Sequence, residues 1–209
     1  LNCLGGSEVS NAIECGLAMV GKDPLSITTD CSYLICKNIP VQRPCDPNEI
    51  IGPPGIDSAK WISAYDNNQY TINFENDSVL ATAPAQRVTI RQKLHTNVNP
   101  FTVSIGSFGF ANYVFNVPAN QSSYSTRLDL TDSLGVDVDV TAGVDVVNRE
   151  VFWVLQSVDR NTGIAPYSPL LGLLPINNAA GDGQGFVSYS IKAKSPVNTG
   201  DSITAKASI

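Results

Sequence analysis

The chain has 209 residues, 43% of them hydrophobic and 15% charged, with 19 acidic against 13 basic side chains and a net charge of −6. That is enough apolar material for a sizeable core, so a disordered chain is excluded, and the acidic balance without any Lys/Arg cluster argues against nucleic acid as partner. No apolar run approaches the length a membrane helix needs; the one around Leu170 to Ile176 is broken by Gly172 and Pro175.

All five cysteines, Cys3, Cys15, Cys31, Cys36 and Cys45, lie at the N-terminal end. Zinc sites join close Cys pairs to further Cys or His, but here one C-x4-C pair (Cys31, Cys36) stands without a neighbouring His. Disulfides fit the pattern better and point to an oxidising, extracellular or cell-surface location. Five is odd, so one thiol is free or pairs outside the segment; the pairing of the others stays open. Within this stretch Ile13, Leu17 and Val20 share a face at helical spacing, which predicts a short helix around 10–20.

Residues 1–45 read as a cysteine-rich cap or small preceding module. Residues 46–60 contain Pro47, Pro53, Pro54 and two glycines and read as a linker or edge-covering loop. A β-domain is expected over 61–209. Leu1 follows no initiator Met, and the chain stops within an apolar stretch, so it reads as a processed or excerpted segment.

From Tyr70 the apolar residues recur with period two. Tyr70, Ile72 and Phe74 alternate with Thr71, Asn73 and Glu75, and Val88 and Ile90 alternate with Arg87, Thr89 and Arg91. Further strands are predicted at 101–105, 113–117, 124–130, 136–146, 150–156, 186–193 and 202–209. Turns are expected at 106–109, 118–120, 132–135, 159–163 and 181–185. About eight or nine strands without helical segments predict an all-β fold of two packed antiparallel sheets. Residues 164–185 are long for a hairpin loop, and their leucines predict that the segment covers a sheet face or the sandwich mouth.

The segment YTINFENDSVLATAPAQRVTIRQKL (Tyr70 to Leu94) is similar to the repeat module of large bacterial surface proteins, whose signature runs YTI-x-F-x-N, small residues, then APA-x-x-V-x-I and a leucine. DPNE (Asp46 to Glu49), GSFGF (Gly106 to Phe110) and GFVSYSIKAKSPVNTGDSITAKASI (Gly185 to Ile209) match in the same order. The resemblance covers about 46–209 and implies an immunoglobulin-like antiparallel β-sandwich, used in tandem for spacing, adhesion or fibre assembly, with neighbouring modules or copies as partners. It brings no catalytic residues. The cysteine-rich segment and the end at Ile209 depart from the pattern.

Several residues invite a chemical reading. Asn76-Asp77-Ser78 and Asn120-Gln121-Ser122 are N-glycosylation triplets placed in predicted turns. Asp129, Asp132, Asp137, Asp139 and Asp145 crowd one stretch, and such oxygen-rich clusters bind Ca²⁺, but the spacing matches no EF-hand, so a solvated polar face opposite Val136, Val138 and Val140 is the preferred reading. A Ca²⁺- or carbohydrate-dependent adhesion module is the alternative to the structural reading. No nucleotide loop or other cofactor motif occurs. A hydrolase would need His95, the single histidine, which sits at a strand end, or an acidic pair that nothing singles out. Of the aromatics Trp61, Tyr113, Tyr124 and Trp153, the last alternates with Val151 and Leu155 and reads as core, whereas Trp61 beside the linker is the candidate interface anchor.

Overall fold

Period-two alternation sends every second side chain of a strand to the same face, and here the apolar set closes two sheets over one core. The computed structural model describes residues 48–209, together with the backbone of 12–17 and 34–39. The chain divides into two compact units, Leu4–Gln42 and a larger one that includes Arg43–Ile209.

In the small unit, β1 (Ala12–Leu17) and β2 (Leu34–Ile39) form an antiparallel pair. The described part of the helix expected around 10–20, Ala12–Leu17, is therefore a strand. The i, i+4, i+7 spacing of three apolar residues was outweighed by pairing along the whole of Ala12–Leu17, a tertiary contact that local spacing does not encode. Cys15 and Cys36 are register partners; Cys3, Cys31 and Cys45 lie outside the described residues.

The large unit is all-β. Its strands are β3 (Asn48–Ile51), β4 (Asn68–Glu75), β5 (Arg87–Lys93), β6 (Ser104–Phe110), β7 (Tyr113–Phe115), β8 (Ser123–Leu130), β9 (Val136–Asp145), β10 (Glu150–Val158), β11 (Gln184–Ile191) and β12 (Ala207–Ser208). Among its described residues helix is confined to α1 (Thr131–Leu134) and a 3-10 turn at Pro100–Thr102. One sheet has the order β12-β5-β10-β9-β8 and the other β3-β4-β11-β6-β7, with antiparallel pairing throughout.

The inner faces meet in a core that is apolar almost throughout. Val136, Val138, Val140, Val151, Trp153 and Leu155 of the first sheet are sealed from solvent, as are Ile72 and Val187 of the second. Trp153 lies 5.9 Å from Tyr189 and Tyr124 lies 6.2 Å from Phe108, ring centre to ring centre, so aromatic contacts join the sheets. Tyr70 stacks on Tyr189 at 5.2 Å within the second sheet.

In the large unit sequence and structure part at several points; the strand expected over 101–105, for one, opens in the 3-10 turn at Pro100–Thr102, and β6 starts at Ser104. The segment read as linker contributes β3, which pairs with β4 from Asn48↔Phe74 to Ile51↔Thr71, so the sheet begins well before Trp61. Gly106 to Gly109, expected as a turn, run inside β6; the glycines are there because their cross-strand neighbours Ser188 and Phe186 fill the space a side chain would take. The turn expected at 132–135 is α1, ended by Gly135 in the left-handed conformation at φ 72°. Of the strand expected over 202–209, only Ala207–Ser208 pairs, opposite Gln92 and Arg91.

The long segment after β10 covers the core with a small part of itself. Leu173 and Leu174 are buried, and Leu174 exchanges backbone hydrogen bonds with Ala85. Ile164, Tyr167 and Leu170 remain exposed. The side chain of Gln86 reaches the carbonyls of Pro166, Ser168 and Leu171 at 2.9 to 3.1 Å and fixes the loop to the start of β5.

Candidate functional site: an exposed aromatic surface

Between β3 and β4 the chain makes a tight antiparallel turn. Ile56 and Trp61 exchange backbone hydrogen bonds at 2.9 Å each way, and Lys60 N–H donates to the Asp57 carbonyl at 3.0 Å. Asp57 and Lys60 both take positive φ, so the turn is tight enough to aim its side chains. Trp61 is 49% exposed, Ile51 49%, Ile56 70% and Tyr65 88%. Four large apolar side chains carried by one short segment are more than the scattered single exposures usual on a protein surface.

Two clefts, of about 440 and 780 Å³, share Trp61, Ile62, Gly200, Asp201 and Ile203 in their walls. Tyr65 lines the smaller and Ile51 the larger. Trp61 thus stands, partly wet, at the junction of two depressions. A rigid amphipathic ring in such a place is the anchor chemistry of protein interfaces.

The five aspartates do not form one group. Asp129, Asp137 and Asp139 share the outward face of β8 and β9, where Asp129 is opposite Asp137 and Arg127 opposite Asp139. Arg127 makes two parallel hydrogen bonds to Asp139 at 2.6 and 2.7 Å. Arg160 pairs with Asp129 and reaches buried Asp137 at 2.9 Å. Arg127 holds the Asp139 carboxyl below its ordinary range; Arg160, then Thr131, holds Asp129 well below it. Asp145 caps the β9–β10 turn, accepting from the backbone N–H and the side chain of Asn148 at 2.8 and 2.7 Å, and is lowered for that reason. Asp132 lies in the first turn of α1. Among the described residues no group of three or more His, Cys, Asp or Glu is placed to hold a metal ion.

The two glycosylation triplets separate. Asn120 is an exposed turn residue at φ 61°. Asn76 is 1% exposed, and its side-chain amide donates to the carbonyls of Ala83 and Leu174. Asn76 is therefore set aside as a glycan acceptor in the folded domain, because its nitrogen is enclosed and both its protons are engaged. The N-x-S triplet is a local pattern and carries no information on burial.

His95 accepts the backbone N–H of Asn97 on Nδ1 at 3.1 Å, a local turn contact, and its carbonyl accepts from the distant Arg149 side chain at 2.6 Å. Trp153 is core, as its alternation predicts, and Tyr113 stacks on Phe115 at 6.3 Å. Of the aromatics singled out in the sequence, Trp61 is the one among the exposed large side chains. Sequence reasoning missed the company it keeps: Ile51 and Ile56 lie in the segment read as linker, where a Pro/Gly-rich composition conceals side-chain direction, and Tyr65 lies just beyond it. No helix among the described residues is long and apolar enough to cross a membrane. No protein-family model matches the chain, and comparison with curated proteins and with solved structures found no match either.

Proposed function

We propose that this chain is a structural module of an extracellular filament, appendage or surface adhesin, an immunoglobulin-like β-sandwich that engages a neighbouring module or copy through the Trp61 surface. The observation that carries the reading is the joint exposure of Ile51, Ile56, Trp61 and Tyr65 along one short segment, 51–65, that contains the hydrogen-bonded Ile56–Trp61 turn. Exposed apolar area of this kind is stabilised when a partner covers it. The resemblance of Tyr70 to Leu94 to surface-protein repeats and the N-terminal cysteines support the same placement outside the cell.

Contact at this surface would be interfacial and mechanical. Trp61 supplies a large, stiff contact area, and the depressions beside it accept side chains of the neighbour. Sedimentation velocity across a concentration series tests this. The intact chain is expected to associate as concentration rises, and Trp61→Ser to remain monomeric at the same concentrations with an unchanged unfolding transition. Equal association of both proteins would overturn the assignment of the surface.

A further inference from the structure

The two sheets differ in charge. The five strands β3, β4, β6, β7 and β11 contain no lysine or arginine, whereas β5 and β8 of the other sheet carry Arg87, Arg91, Lys93 and Arg127. Any ligand of the cation-free sheet is selected by something other than attraction for negative charge.

One row of side chains crosses that whole sheet on its outward face. Glu49 is opposite Asn73, Asn73 opposite Phe186, Phe186 opposite Gly109, and Gly109 opposite Val114. The neighbours of the row along the strands, Ile72, Phe74, Val187 and Phe108, are buried on the inner face, so the row itself turns outward. Strands lie about 4.8 Å apart, which makes the row roughly 19 Å long.

Its middle is apolar and its near end polar. A Cβ at Gly109 would stand 2.7 Å from Cε1 of Phe186, so the phenyl ring leans into the space that the glycine leaves. Beyond it Val114 is 64% exposed. A cleft of about 610 Å³ opens over this row, with Asn112 and Gln184 also in its wall. The combination is an aromatic and aliphatic floor edged by a carboxylate and amides.

We propose that this row is a binding site for a neutral oligosaccharide, a function separate from the Trp61 contact. The C–H face of a sugar ring would lie against Phe186 and Val114. Its hydroxyls would donate to Glu49 and exchange hydrogen bonds with Asn73, which can both donate and accept. Glu49 at one end and the lack of any cation on the sheet disfavour sulfated, phosphorylated or carboxylated sugars. The length of the row suits a short linear chain of rings better than a single sugar.

Nuclear magnetic resonance titration of the full chain with neutral cello-, manno- and chito-oligosaccharides, and with a heparin-derived fragment as the anionic control, tests the proposal. At least one neutral series is expected to give saturable shifts at Asn73, Gly109, Val114 and Phe186, with none from the heparin fragment. Asn73→Ala and Val114→Lys, both on the outward face, are each expected to weaken binding at least about tenfold without moving the unfolding transition. Absence of shifts with every neutral sugar, shifts confined to other residues, or full affinity in both variants would overturn it. So would saturation of the row by a neutral extended peptide while all sugars fail. Because Trp61 lies outside the row, loss of self-association in Trp61→Ser leaves this result unaffected, and the two readings fail independently.

Discussion

The side-chain amide of Asn76 donates to the main-chain carbonyl of Leu174 at 3.2 Å, bridging 98 residues of sequence, and to that of Ala83 at 2.9 Å. The Asn76 backbone continues the same seam, donating to Gly183 and accepting from Asn177. One buried residue thus ties the crossing from β4 to β5 to the long segment that precedes β11. Asn76→Ala leaves two buried carbonyls without this donor and is expected to cost about 2 to 4 kcal/mol, measured by urea unfolding. A loss below half a kcal/mol would mean that water replaces the amide at no cost.

The same burial governs glycosylation. Secreted from a eukaryotic cell, the folded chain is expected to carry glycan at Asn120 and none at Asn76, read by peptide mapping. Folded, secreted material modified at Asn76 would contradict the packing described for that residue.

Acid is expected to weaken the fold through its lowered carboxylates. Asp129, Asp139, Asp145 and Asp182 are lowered by Arg160, Arg127, Asn148 and Asn178 respectively. A carboxyl whose folded pKa lies below its unfolded value of about 3.9 stabilises the fold above that value. The contribution disappears as pH falls through the folded pKa. The melting temperature should therefore hold steady from neutral pH to about 5 and decline below about 4. Arg160→Met should lower it at pH 7 and by less at pH 2, because below its unfolded value the charge that the guanidinium preserves on Asp129 contributes progressively less stability. An equal loss at both pH values would show that Arg160 acts by packing alone.

Calcium is expected to leave stability unchanged. Asp137 and Asp139 already face arginines, and Asp129 shares Arg160 with Asp137. A rise of several degrees in melting temperature at millimolar Ca²⁺ would show that the ion displaces these pairs.

Gly185 marks a point of close packing. A Cβ there would lie 2.4 Å from the ring of Phe74 and 2.9 Å from the Gly109 carbonyl. Gly185→Ala is expected to cost about 1 to 3 kcal/mol by overpacking, again measured by urea unfolding. A neutral substitution would mean that the Phe74 ring can swing aside.

Strands with an exposed face were legible because alternation reports directly on burial: Tyr70, Ile72 and Phe74 point inward as the sequence indicates. Trp153 was assigned to the core on the same ground. What escaped were features set by partners distant in sequence. Nothing around Asn48 reveals that it faces Phe74, and nothing around Gly109 reveals that the Phe186 ring needs its space. The row from Glu49 to Val114 exists through strand register, which brings residues from five strands into line. The aspartates had the converse problem: close in sequence, they were divided by a turn helix and by arginines at positions 127 and 160.

The most direct measurement of the central claim is acrylamide quenching of tryptophan fluorescence in the intact chain as concentration rises. Trp153 is sealed from solvent and Trp61 is half exposed, so the quenchable emission reports on Trp61. If neighbours cover the Trp61 surface, that emission should become protected and shift to shorter wavelength as association proceeds. If the chain associates while Trp61 stays fully quenchable, or stays monomeric at every concentration, the proposed role of this surface is contradicted.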